Sequence, residues 1–130
     1  MPTRRLLLLS ACFATSACYA PEQEQPPIPD FVVLFHGDSD ALDPAATRIV
    51  EEAAALAKTA SDKAVRVEGY ADRSATPQSN QILSRLRAQA VANALVRLGV
   101  EKARIHIRPK TAIGGDPGVE SRRVEIVIGR

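Results

Sequence analysis

Apolar positions from residue 31 onward fall into runs whose spacing changes from strand-like to helical and back. Phe31 to Phe35 (FVVLF) is a continuous apolar run of strand length, and the polar HGDSD of residues 36–40 ends it. At Asp43-Pro44 the chain carries a helix start, a capping carboxylate followed by proline at the first helical position. Helical spacing continues to Ala60, with Ile49, Ala53, Leu56 and Ala60 on one face. Val65 and Val67 then alternate with Arg66 and Glu68 up to Gly69, the pattern of a half-buried strand. Thr76-Pro77 repeats the helix start; the stripe Leu83, Ala90, Val91, Ala94, Leu95 and Leu98 follows, and Gly99 supplies a stop. Ile105 and Ile107 mark a third strand, IGGDPG at 113–118 a turn or loop, and Val124, Ile126 and Ile128 a last strand.

The predicted order is β-α-β-α-β-β. Because the later strands alternate instead of running apolar throughout, one sheet face is expected to meet water while the helices cover the other. The fold class expected is α+β, a two-layer α/β sandwich. At 130 residues the chain has room for one such core and an appendage.

The appendage is the first thirty residues. Met1 to Arg5 is a short cationic start, and Leu6 to Ala17 an apolar, small-residue stretch too short for a spanning helix, which is the anatomy of an export signal. The chain's two cysteines, Cys12 and Cys18, both lie here behind small residues. Each site resembles a bacterial lipobox, which implies cleavage before the cysteine and its lipidation. Cys18 is the better choice, since cutting at Cys12 leaves a very short apolar stretch and a free thiol. Residues 1–17 are thus expected to be a lipoprotein signal peptide and 18–30 a lipidated, proline-rich tether (PEQEQPPIP) ahead of a domain at 31–130. Tyr19 in place of Asp after Cys18 resembles lipoproteins sorted to the outer membrane.

Charge and composition exclude several functions. The 17 basic residues less Arg4 and Arg5 leave 15 against 15 acidic ones, so the domain has no electrostatic footprint for nucleic acid. With 4% aromatic residues and no Trp, a wall of stacking aromatics is also not expected. No nucleophile elbow, His-Glu-x-x-His or phosphate-cradling loop occurs, so no enzyme and no cofactor is expected. His36, Asp38 and Asp40 alternate as metal ligands do on a strand, but Gly37 and Ser39 break the strand there, and a loop is the preferred reading.

The informative stretch is GYADRSATPQSNQILSRLRA, Gly69 to Ala88. Gly69, Asp72, Asn80, Leu83, Arg87 and Ala88 stand at the spacing of the OmpA-like peptidoglycan-binding domain family, of the peptidoglycan-associated lipoprotein type, which the chain resembles. The resemblance runs from about residue 31 to the end, through Leu98-Gly99-Val100 and Arg122-Arg123-Val124-Glu125-Ile126. Several positions depart from the family pattern: Tyr70-Ala71 replaces His-Thr, Gly37 the second aromatic of the first strand, and Ser121 an Asn; RSAT lacks the loop glycine, and Arg73 puts a cation beside Asp72.

The resemblance implies noncovalent binding of peptidoglycan through the free end of diaminopimelate in its stem peptide. An amino-acid end carries an ammonium and a carboxylate, so recognition asks for one fixed anion and one fixed cation. By the resemblance these are Asp72 and Arg87, the latter offering a planar fork of donors. Gly37 and Asp38 are expected near the ligand, Thr76 as a polar edge, Leu83 as an apolar wall, and Asn80 at the ligand or holding the loop. Arg122 and Arg123 are expected as ion-pair partners at the sheet end. Two or three charge-assisted contacts imply micromolar to millimolar affinity for one stem, sufficient for a protein tethered beside a polymer of stems. The alternative is an envelope docking module of the same fold, whose partner is a periplasmic protein.

Overall fold

The computed structural model describes residues 31–71, 76–110 and 121–129; the signal, the tether, Cys18 and Asp72 lie outside the described residues. The elements are β1 (Phe31–Leu34), α1 (Pro44–Thr59), β2 (Val65–Gly69), α2 (Pro77–Arg97), a single 3₁₀ turn (Lys102–Arg104), β3 (Ile105–Pro109) and β4 (Arg123–Ile128). The sequence order is the one expected, and the four strands form one open sheet in the order β1-β4-β2-β3.

β4 lies antiparallel between β1 and β2, while β3 runs parallel to β2, the arrangement that a strand, a covering helix and a return strand produce. The registers fix the two ends of the sheet. Phe31 lies opposite Ile126 and Leu34 opposite Arg123, so the exits of β1 and β2 share one pole with the entry of β4.

Both helix starts are local. Asp43 and Thr76 have extended backbones and accept from the N–H groups of Ala46 (2.7 Å) and Ser79 (3.2 Å), which quiets donors that the first helical turn leaves unpaired. Val33, Val65, Val67, Val124 and Ile126 are completely buried under the helices. Arg66, Glu68, Arg123, Glu125, His106 and Arg108 alternate onto the other, open face. The whole core cluster is drawn from residues between Phe31 and Ile128.

The helix faces differ from the periodicity reading. α1 buries Ala46, Val50, Ala53, Ala54 and Ala57, whereas Leu56 is 45% exposed and Ile49 and Ala60 are half-buried. Alanines bring the helix axis close to the sheet, and the larger side chains are left on the flank. α2 buries Val91, Ala94 and Leu95 as expected, but its first half turns inward Asn80, Ser84 and Arg87, which no apolar count can find. Gly69 explains part of this: a Cβ there would run into the carbonyl oxygen of Ser84, so β2 and α2 approach each other as only glycine permits.

Candidate functional site

The exits of β1 and β2 meet the middle of α2 at Arg87. Only 1% exposed, Arg87 is the largest of the fully buried side chains. Its Nε–H donates to the Ser39 carbonyl (3.0 Å), Nη2 to the Gly37 carbonyl (2.6 Å) and Nη1 to the Tyr70 carbonyl (3.2 Å), with the guanidinium carbon 5.4 Å from the centroid of the Phe35 ring. A buried cation is costly to desolvate, and main-chain carbonyls are the acceptors that lower that cost, each charge-assisted bond contributing about 1.5–3 kcal/mol. Arg87 therefore ties together the loop after β1, the end of β2 and α2.

The loop after β1 is shaped for this task. Gly37 has φ +51, a left-handed conformation that an L side chain adopts only with strain, and the Ser39 N–H donates to the His36 carbonyl across the same turn. The result is that the carbonyls of residues 37 and 39 both face Arg87. Of the alternating His36, Asp38 and Asp40, His36 pairs with a residue outside that set: its Nε2 lies 2.7 Å from Asp43 Oδ2, at the helix cap. That contact, after the stronger bond from the Ala46 N–H, holds the Asp43 carboxyl below its ordinary pKa. Among the described residues no group of three metal-binding side chains occurs.

The other predicted residues disperse around this centre. Gly37 and Arg87 are in direct contact, while Asp38, between two carbonyls that Arg87 holds, points to solvent and is exposed. Thr76 is exposed and is the cap of α2, its hydroxyl 2.9 Å from Ser79 Oγ. Asn80 is 6% exposed, one turn into the same helix, and Leu83 is half-buried. Asp72 follows Tyr70 by two positions and belongs to the undescribed segment. A cleft of about 550 Å³ between α1 and α2, floored by Val50, Ala94 and Leu98, includes none of the predicted residues.

Sequence reasoning missed the contributions of Phe35, Ser39 and Tyr70. Two of them act through carbonyls, which every residue has, and so carry no signal in the side-chain pattern. Tyr70 also acts through its ring. On the open face of the sheet Arg123 stacks over that ring (guanidinium carbon 4.0 Å from the centroid), and its Nε–H donates to Glu125 Oε1 at 2.7 Å. The Tyr70 hydroxyl donates to Glu125 Oε2 at 3.4 Å. Burial, with the carboxylates of Glu125 and Glu68, raises the Tyr70 pKa above its ordinary value. Arg123 is thus an ion-pair partner as expected, and the Nε–H of Arg122 is buried with no hydrogen-bond partner among the described residues.

An open sheet with helices on one face, and a polar site where two strand exits meet a buried arginine, define a small α+β binding domain. The chain belongs to the OmpA family, whose sequence profile matches residues 34–123. It is 34% identical over 103 residues to the probable lipoprotein YiaD of Escherichia coli (strain K12), covering 74% of this chain and 47% of that protein. The chain therefore spans about half the length of that relative. Among solved structures it resembles the peptidoglycan-associated lipoprotein of Burkholderia pseudomallei (26% identity, TM-score 0.69, 75% of this chain and 89% of the other). It is also similar to the OmpA-like domain of FopA1 from Francisella tularensis subsp. tularensis SCHU S4 (26%, TM-score 0.68, 75% and 70%). The C-terminal domain of Helicobacter pylori MotB shares the fold (22%, TM-score 0.66, 76% and 84%). Domains of this family bind peptidoglycan and are not enzymes. Among the described residues no helix is long and apolar enough to cross a membrane.

Proposed function

We propose that this chain is an outer-membrane lipoprotein, anchored through Cys18, whose domain grips the diaminopimelate end of peptidoglycan stem peptides without cleaving them. Asp72 receives the ammonium and Arg87 supplies the positive field for the carboxylate, with the 37–39 turn forming the opposite rim. The tether of residues 18–30 links this domain to the lipid. One observation carries the reading: the guanidinium of Arg87 is bonded to the Tyr70 carbonyl, so a fixed cation stands at the strand end that leads directly into Asp72. A cation held by three carbonyls keeps its charge and place when a ligand arrives, which is what recognition of a zwitterion needs.

The test is sedimentation with purified cell-wall sacculi of the chain from Tyr19 to Arg130, which carries the whole core. Wild type is expected in the pellet, released by free diaminopimelate, and Asp72→Asn in the supernatant. Because Arg87 also holds the fold, Arg87→Lys with its melting curve accompanies it. Wild type that stays in solution, or Asp72→Asn that still pellets, would sink the pocket and favour docking to a periplasmic protein.

A further inference from the structure

We propose that the free edge of β3 is a docking site for an extended peptide segment of a partner protein, in which acidic and apolar residues alternate and which adds to the four-stranded sheet as a further strand. Neither Arg87 nor the 37–39 turn belongs to this surface, so the inference does not depend on the peptidoglycan reading.

Among the described residues β3 pairs with β2 alone, so one side of it is open. The Lys110 N–H donates to the Gly69 carbonyl (2.7 Å), and along a strand the backbone groups that face one neighbour belong to alternate residues. His106, Arg108 and Lys110 therefore direct theirs to β2, whereas the N–H and carbonyl of Ile107 and the carbonyl of Ile105 point to the open side. The Ile105 N–H is taken up by the Lys102 carbonyl in the 3₁₀ turn. Unpaired main-chain groups at a sheet edge are a template for an added strand. The side chains along this edge differ between the two faces of the sheet. Ile105 and Ile107 turn toward α2 but stay half-buried, and with Gln89, Ala92, Val96 and Lys102 they line a groove of about 230 Å³ between that helix and the edge. On the open face His106 and Arg108 are exposed, and Arg66 stands opposite His106 with its Nε–H buried and no hydrogen-bond partner among the described residues. Arg66, His106 and Arg108 also have no ion-pair partner among those residues. Glu68, opposite Arg108, has its carboxylate 3.9 Å from Lys110 Nζ instead.

A strand laid on this edge presents its side chains alternately to the two faces. Those beside Ile107 enter the groove, where a group the size of valine or leucine covers apolar surface that α2 leaves open. Those beside His106 and Arg108 meet basic side chains, so acidic residues fit there and basic ones are repelled. Charge also decides against a second copy of this chain: pairing two β3 edges sets His106 and Arg108 of one copy against the same residues of the other. Charged residues at an edge guard it against such self-pairing. A guard alone leaves unexplained why the isoleucines behind it are half-buried beside a groove, and a partner strand with acidic residues accounts for both.

The experiment titrates blocked hexapeptides into the chain from Tyr19 to Arg130 and follows its amide resonances together with hydrogen exchange at the Ile107 N–H. A peptide of alternating Glu and Val is expected to shift the amides of β3 and to slow exchange at Ile107. An all-Glu peptide, which lacks the groove residues, and the Glu-Val peptide N-methylated at its valines, which lacks the main-chain donors, are each expected to bind about tenfold more weakly or worse. Arg108→Glu, at an exposed position, is expected to weaken binding of the Glu-Val peptide about tenfold and to take up a Lys-Val peptide that wild type does not bind. That gain cannot come from a loss of folding. Failure of the Glu-Val peptide to shift β3 overturns the docking site. Equal binding of the all-Glu or the N-methylated peptide overturns strand addition and leaves a cationic patch, and unchanged preferences in Arg108→Glu overturn the charge reading on which the choice of partner rests.

Discussion

Arg87 has a structural role that is in plain view and, under the proposed function, a binding role that rests on the same bonds. Its bonds to the Gly37, Ser39 and Tyr70 carbonyls are what close the loop after β1 onto the end of β2, and the same bonds fix a positive charge beside the strand exit. Tyr70 offers a direct test of the environment on the other face. Its phenol is pushed up first by burial and then by the carboxylates of Glu125 and Glu68. The chain's two tyrosines are Tyr19 and Tyr70, so ultraviolet titration of a Tyr19→Phe fragment reports Tyr70 alone. Ionisation is expected above pH 10, and Glu125→Gln is expected to move it back toward the ordinary value. The sign for stability follows from linkage: a raised pKa stabilises the protonated form in the fold. The contribution is therefore intact below pH 10 and is lost as pH climbs from there through the folded value. A Tyr70 that titrates with an exposed tyrosine would show that the ring is not seated on the sheet.

Elements were legible in the sequence to the degree that their causes are local. Asp43-Pro44 and Thr76-Pro77 announce the two helices because a cap and a proline act within one turn, and the alternation at Val65 to Gly69 needs only the pleat. The inward face of α1 was legible only in part, at Ala53, because alanines that pack closely weigh less in a hydrophobic pattern than the exposed Leu56 beside them. The first half of α2 was not legible, since Asn80, Ser84 and Arg87 occupy core positions as polar residues. The resemblance to the family marked Arg87, but two of its three carbonyl partners come from a turn about fifty residues away, and none of the three has a signature in the side chains. Thr76 is the case where local and ligand roles can be separated. As the cap of α2 it accepts from the Ser79 N–H, and Thr76→Ala is expected to cost about 1 kcal/mol in a urea titration, with Thr76→Ser close to wild type. If Thr76→Ala keeps its stability while losing wall binding, the hydroxyl serves the ligand and not the helix.

At the scale of the molecule, the sheet places its two ends in different surroundings. β1 enters beside the end of β4, with Phe31 opposite Ile126, and leaves at the pole where Arg87, the 37–39 turn and Tyr70 meet. The residues that precede Phe31 therefore join the domain at the pole away from the candidate site. Under the proposed anchoring this geometry points the site away from the membrane, with β1 as the strut between the two. The orientation has a measurable consequence. Immobilising the chain from Tyr19 on a surface through its amino terminus is expected to leave its affinity for a soluble stem peptide unchanged. Attaching it through a cysteine placed at exposed Asp38, in the turn that Arg87 holds, is expected to abolish binding. Equal binding in the two orientations would mean that the ligand sits elsewhere on the domain, and that the pole built around Arg87 serves the fold alone.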